Sequence, residues 1–133
     1  MPDRREPDWD NYPNFERWEF ECSCGCGQAL MRAETLDMVQ NIRSLLGEPL
    51  HITSGYRCPS YNSSISSTGR NGPHTLGLAV DIGCYGDKAH RVLVEALEQE
   101  VPRIGVKQKG PHNKRFVHLD LIKSSVSPWL WSY

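Results

Sequence analysis

Two histidines and two aspartates stand where they could do chemistry together. His74 and Asp81 fall in "GPHTLGLAVDI" (72–82), and His118 and Asp120 fall in "RFVHLDLI" (115–122). The second segment alternates like a strand, and strand side chains point to opposite faces in turn. Phe116, His118 and Asp120 therefore share one face, and Val117, Leu119 and Leu121 share the other, which is core-facing. In the first segment Leu78 and Val80 share one face, and Ala79 and Asp81 the other. A carboxylate in a core-seeking run is costly unless a cation meets it. Two strands with one core face each can aim Asp81 and His118 at a common point, with His74 reaching in from the loop before. Two imidazoles and a carboxylate suit a catalytic zinc ion, which takes three protein ligands and keeps a fourth position for water. Such an ion acidifies its water and polarises a carbonyl. The competing readings are a hydrogen-bonded structural histidine and a turn-capping aspartate, because His-x₆-Asp is less diagnostic than a paired cysteine motif.

The five cysteines are Cys22, Cys24, Cys26, Cys58 and Cys84. An odd count argues against an all-disulfide scaffold. The run "CSCGC" (22–26) suggests a metal, but C-x-C-x-C is not the C-x₂-C of common structural zinc sites. Structural or free thiols are the expected reading, with a metal or disulfide role as the alternative.

The elements that must position these residues follow from periodicity and punctuation. Residues 1–18 are rich in Pro, Asp and Arg and read as an irregular arm that Trp9, Tyr12, Phe15 and Trp18 could pin to the body; residues 19–133 read as one domain. "ETLDMVQNIRSLL" (34–46) predicts an amphipathic helix with Leu36, Val39, Ile42, Leu45 and Leu46 on one stripe and Gly47 as its stop. "LHITS" (50–54) predicts a short strand. Residues 55–73 predict a long loop, which in a compact domain is usually functional or mobile. "LGLAVDI" (76–82) predicts a strand. "DKAHRVLVEALEQE" (87–100) predicts a helix capped by Asp87, with Ala89, Val92, Leu93, Ala96 and Leu97 inward and Pro102 beyond it. "RIGVK" (103–107) and 115–122 predict two more strands, and the aromatic tail "SPWLWSY" is expected to pack back. This order of helices and strands predicts a small α+β domain.

Bulk properties narrow the function classes. The chain has 133 residues, enough for one domain with a modest core. No window approaches the ~18 apolar residues of a membrane span. The net charge of −1 has no basic block beside it, so nucleic acid is not the expected partner. The first ten residues, "MPDRREPDWD", have no apolar core, so no signal peptide is expected. The protein is expected to be made in the cytoplasm, and a role outside it would need release.

Three blocks in order, "SGYRCPSYN" (54–62), "HTLGLAVDI" (74–82) and "FVHLDL" (116–121), resemble the D-Ala-D-Ala carboxypeptidase-like zinc peptidase family. That family includes peptidoglycan carboxypeptidases and phage L-alanyl-D-glutamate endolysins, and the amino-terminal hedgehog signalling domain shares its fold. The resemblance runs from about Phe20 to the end of the chain. It implies a hedgehog/DD-peptidase-like α+β fold, a small and mostly antiparallel sheet flanked by two or three helices. It implies that His74, Asp81 and His118 bind Zn2+ and that Arg57 faces the substrate, where its fork suits a carboxylate or a polarised carbonyl; a surface salt bridge is the alternative for Arg57.

The chain departs from the family pattern in two places. Gly72 stands where many members have Ser, a role Ser66, Ser67 or Thr68 could take. Arg115 stands where many members have the acidic general base, and arginine cannot serve as a base at neutral pH. Asp120 is then the first candidate base, with orientation of a ligand histidine as its equal competitor. His112 is a further acid/base candidate or a solvent-facing loop histidine, and His51 and His90 read as structural or surface.

The resulting expectation is a monomeric zinc peptidase acting on peptidoglycan stem peptides, of the endolysin or DD-carboxypeptidase type. The main alternative is a non-catalytic, zinc-stabilised structural or binding module of a phage particle. A cytoplasmic D-Ala-D-Ala dipeptidase and a cysteine hydrolase using Cys58 or Cys84 rank behind these.

Overall fold

The structure is a computed structural model, and it describes residues 6–133; the first five residues of the arm lie outside the described residues. Helix α1 (Ala33–Leu46) forms where apolar residues recur at helical spacing, and it stops at Gly47, whose φ of 70° is left-handed. Its stripe is Thr35, Leu36, Met38, Val39 and Ile42. Leu45 does not belong to it and is 64% exposed. Steps of three drift backwards around a helix, so nine residues beyond Leu36 the side chain lies about half a turn away.

Strand β1 (His51–Ser54) follows, then helix α2 (Pro59–Ile65) inside the segment expected to be loop. The signal for α2 is Pro59 in its first turn, where the missing N–H costs nothing. Its Ser- and Asn-rich sequence hid it, since these residues are poor helix formers.

Strand β2 (Ala79–Gly83) begins three residues later than expected, because 73–77 is a turn. Helix α3 (Gly86–Glu98) buries Ala89, Val92 and Ala96. Leu97, assigned to that face, is 52% exposed. Asp87 is not its cap: Tyr85 holds that position, and Asp87 accepts from Arg91 Nε at 2.9 Å within the first turn. Strands β3 (Arg103–Lys107), β4 (Phe116–Asp120) and β5 (Trp129–Ser132) complete the chain.

The five strands form one sheet in the order β1-β2-β4-β3-β5, antiparallel except for the parallel β3–β5 pair. The fold is α+β, as expected, with three α-helices among the described residues. The aromatic tail does pack back, but as a fifth strand. Val80, Ile82, Ile104, Val117 and Leu119 point to one side and join the α1 and α3 stripes in a single core.

The N-terminal segment contributes to that core through two short 3₁₀ turns, Trp9–Asn11 and Arg17–Phe20. Tyr12, Phe15 and Phe20 are buried. The Tyr12 hydroxyl donates to Asp37 Oδ1 at 2.8 Å on α1. Trp18, expected to help pin the arm, is 70% exposed.

Candidate metal centre and active site

The opposite side of the sheet carries the chemistry, and the strand register lines it up. Asp81 on β2 pairs with His118 on β4, His118 with Gly105 on β3, and Gly105 with Trp131 on β5. The next row holds Ala79, Asp120, Arg103 and Trp129. His74 comes from the turn before β2. Its Nδ1–H donates to the Gly55 carbonyl at 2.8 Å, which turns Nε2 toward Asp81 Oδ1 at 3.4 Å. Ligand atoms of His74, Asp81 and His118 lie within 4.8 Å of one another, and all three residues are buried.

Electrostatics hold this cluster together. Burial alone would push the Asp81 carboxyl up. Hydrogen bonds from His118 and His74 and their positive charge outweigh it and hold Asp81 well below the usual carboxylate range. Burial likewise works against charge on His118. Its hydrogen bonds to Asp120 at 2.7 Å and Asp81 at 2.8 Å win, and the imidazole is pushed up to about 9. Without a metal, His118 is therefore an imidazolium donating to two carboxylates, and a cation bound at Nδ1 would replace that proton.

Asp120 lies on the far side of the His118 ring from Asp81. It is fully buried. Its oxygens accept from His118 Nε2, from Arg103 Nε at 3.2 Å and from the Ile122 amide at 3.1 Å. This geometry fixes the His118 ring and keeps Asp120 away from the open side of the site.

Arg57 enters the same cavity. Its Nε donates to Ser54 Oγ at 3.0 Å, Nη1 to Asn62 Oδ1 at 3.1 Å and Nη2 to Asp81 Oδ2 at 3.3 Å. The Asp81 pair is a partly buried ion pair rather than a surface one. Gly72 also finds its explanation here: a Cβ at this position would meet Thr68 Oγ1 at 2.2 Å. The hydroxyl of Thr68 occupies the space a residue 72 side chain would need, and Thr68, Ser66 and Ser67 line the cavity.

The sequence reading missed the remaining wall. The cavity, about 460 Å³, is closed by Arg103, Phe116, Trp129, Trp131 and Tyr133. Arg103 lies 5.1 Å from the centre of each tryptophan ring. Trp131 reaches over Gly105 to within 5.4 Å of the His118 ring centre. Only a residue without a side chain fits between them, since a Cβ on Gly105 would meet the indole at 2.6 Å. Burial, and after it the charge on Asp81, raises the Tyr133 phenol above its ordinary value, so it stays protonated at neutral pH. The available signal was "WLWSY": Trp129, Trp131 and Tyr133 at alternate positions mark one face of a strand.

His112 is not brought to this cavity. It is exposed, stacks on Tyr85 with ring centres 4.2 Å apart, and lines a separate cavity with His51 and Arg115. Arg115 donates from Nε to the Gly110 carbonyl at 3.0 Å. His90 is exposed. Cys84 is buried, and burial pushes its thiol up to about 11, which leaves little thiolate for a cysteine hydrolase.

No curated protein matches the chain. A family profile described as Peptidase M15 matches residues 13–120, which span the helices, the loop carrying Arg57 and the strands carrying Asp81 and His118. By that match over most of its length, the chain belongs to the M15 family of D-Ala-D-Ala carboxypeptidase-like metallopeptidases.

Proposed function

We propose that the protein is a zinc-dependent peptidase that hydrolyses an amide bond in a peptidoglycan stem peptide or cross-link, in the manner of a phage endolysin. The observation that carries this reading is the convergence of His74 Nε2, Asp81 and His118 Nδ1 on one point at the floor of an open cavity. The donors fit zinc: each histidine has its other ring nitrogen held by a protein acceptor, Gly55 O or Asp120, which sets the ring for ligation. When bound, zinc supplies a Lewis acid that acidifies water and polarises an amide carbonyl.

The chain's own groups do the rest. Three of the five guanidinium N–H groups of Arg57 are engaged, leaving two to donate to a substrate carboxylate or a developing oxyanion. The protonated Tyr133 phenol is a donor on the opposite wall and suits protonation of a leaving amine. Trp129 and Trp131 give the substrate an apolar side to lie against and screen the polar floor from water. Asp120 acts on the ring of His118 as a positioning residue.

One observation favours a second reading. Among the described residues that line the cavity, the sole carboxylate is Asp81, and its oxygens already face His118, His74 and Arg57. A site with no free carboxylate base suits a zinc-stabilised binding module of a phage particle.

One experiment separates the two. Release of new amines from purified peptidoglycan is measured for the wild type and for His118→Ala, with chelator and with restored zinc. Hydrolysis that requires both His118 and zinc supports the peptidase, and product mass names the bond. Zinc-loaded, folded wild type that releases no amine from any wall type refutes it in favour of the binding module.

A further inference from the structure

Four of the five cysteines converge outside that cavity. Cys22, Cys24 and Cys26 come from one tight loop, closed by the Cys22 amide donating to Gln28 O at 2.8 Å. The loop turns through Gly25 and Gly27, both with left-handed φ of 87° and 79°. Cys58 arrives from the loop between β1 and α2, more than thirty residues later. The four sulfurs all lie within 4.8 Å of one another. Cys22 Sγ is 3.4 Å from Cys24 Sγ, and Cys24 Sγ is 3.7 Å from Cys58 Sγ. No pair is bonded as a disulfide.

We propose that Cys22, Cys24, Cys26 and Cys58 form a second, structural zinc site. Four thiolates around zinc at about 2.3 Å define a tetrahedron with edges of about 3.8 Å. The observed separations match that edge, not the ~2 Å of a disulfide bond. Four soft sulfur ligands would fill all four tetrahedral positions, as structural zinc requires. The Cys58 amide donates to Cys22 Sγ at 3.3 Å, the kind of outer hydrogen bond that steadies a thiolate ligand. The spacing does not follow C-x₂-C because the two glycines let alternate residues of one turn point inward.

The site has a mechanical purpose. It fastens the N-terminal loop to Cys58, the residue after Arg57 and three after Gly55. Gly55 O orients His74, and Arg57 holds Asp81. The metal thus anchors the loop that frames the other site. Its existence does not depend on the chain being a peptidase.

The test is metal content and the cobalt spectrum of the full chain purified under reducing conditions. Zinc is expected at two equivalents in the wild type and in Cys84→Ser. It is expected at one in His118→Ala and at one in the Cys24→Ser/Cys26→Ser double variant. Cobalt-loaded wild type and His118→Ala are expected to show a thiolate-to-cobalt charge-transfer band and strong tetrahedral d–d bands. The double variant is expected to lack the charge-transfer band. A cobalt-loaded wild type without that band overturns the site whatever the variants do, as does a Cys22–Cys24 disulfide in the mass of the zinc-loaded chain. Peptidoglycan inertness with the band intact sinks the peptidase reading and leaves this site standing.

Discussion

Asp120→Asn separates a positioning role from a base. The carboxylate of Asp120 is fully buried and receives three donors, His118 Nε2, Arg103 Nε and the Ile122 amide. Asparagine keeps the shape but offers one acceptor oxygen and an NH₂ group. At least one of the three donors then faces another N–H. Breaking a buried ion pair from one side costs about 3–5 kcal/mol. Arg103 keeps some exposure and its two tryptophan neighbours, so the lower end, about 3 kcal/mol, is expected in urea unfolding. The His118 ring also loses the partner that fixes it. Loss of such a partner weakens metal binding by about 10–100-fold, or about 1.4–2.8 kcal/mol. The assay is a zinc titration against a competing fluorescent chelator, with hydrolysis then measured at saturating zinc. Weakened zinc binding with activity largely recovered by excess zinc is the expected result. Unchanged zinc affinity together with a loss of about a thousandfold at saturating zinc would make Asp120 the base and refute the argument.

Other perturbations test other parts of the site. Gly105→Ala forces the Trp131 indole to lift by about 1 Å from its 2.6 Å clash, and overpacking of this kind costs about 1–3 kcal/mol; thermal unfolding and tryptophan fluorescence should both shift, and an unmoved wild-type profile would mean the indole does not lie over β3. Cys84 should resist iodoacetamide in the native protein at pH 8. A thiol at about 11 rather than 9 carries about 100-fold less thiolate there, so alkylation as fast as a small thiol's would contradict its burial. Because its folded value is raised, the stability Cys84 contributes is complete below about pH 9 and is lost as pH climbs through about 11. His112→Ala should leave hydrolysis unchanged and move stability by less than about 0.5 kcal/mol, since it removes an exposed stack on Tyr85; a tenfold fall in turnover would return His112 to the acid/base candidates.

The floor of the site was legible because strand alternation alone puts His118 and Asp81 on non-core faces, and antiparallel pairing makes them direct neighbours. Nothing in the alternation distinguishes Asp120 as base from Asp120 as support, because both share the His118 face. That distinction comes from Arg103, which belongs to a different strand, so it needs the sheet order. His112 was drawn in by its closeness in sequence to β4. A 3₁₀ turn, His112–Lys114, instead carries it to the other end of that strand, beside Tyr85. Helix α2 was hidden by weak propensity, and its stability rests on buried Asn62, which bonds Arg57, Thr68 and Gly69. The aromatic wall was readable but unread, because a short aromatic tail with two tryptophans looks like packing until its alternation is matched to β3.

The segment Gly55–Cys58 ties the two proposed metal sites together, and this gives the kinetic consequence of losing the cysteine site. Gly55 orients a ligand, Arg57 reaches both Asp81 and the cavity, and Cys58 supplies a sulfur. His74 is also held by its own buried turn, where Thr75 donates to Gly72 O at 2.6 Å. The Arg57 backbone amide donates to His74 O at 3.3 Å, but its guanidinium is held by the Ser54, Asn62 and Asp81 side chains and it is the residue next to Cys58. Freeing Cys58 should therefore disturb Arg57 before it disturbs the histidines. In Cys24→Ser/Cys26→Ser, zinc at the remaining site is expected to stay. The substrate contacts of Arg57 are expected to weaken by about half of the 1.5–3 kcal/mol that a hydrogen bond to a charged group contributes. That corresponds to a KM about tenfold higher or less, with kcat the less affected parameter. A variant that keeps its remaining zinc and its KM but loses kcat would show that the cysteine site does not work through Arg57.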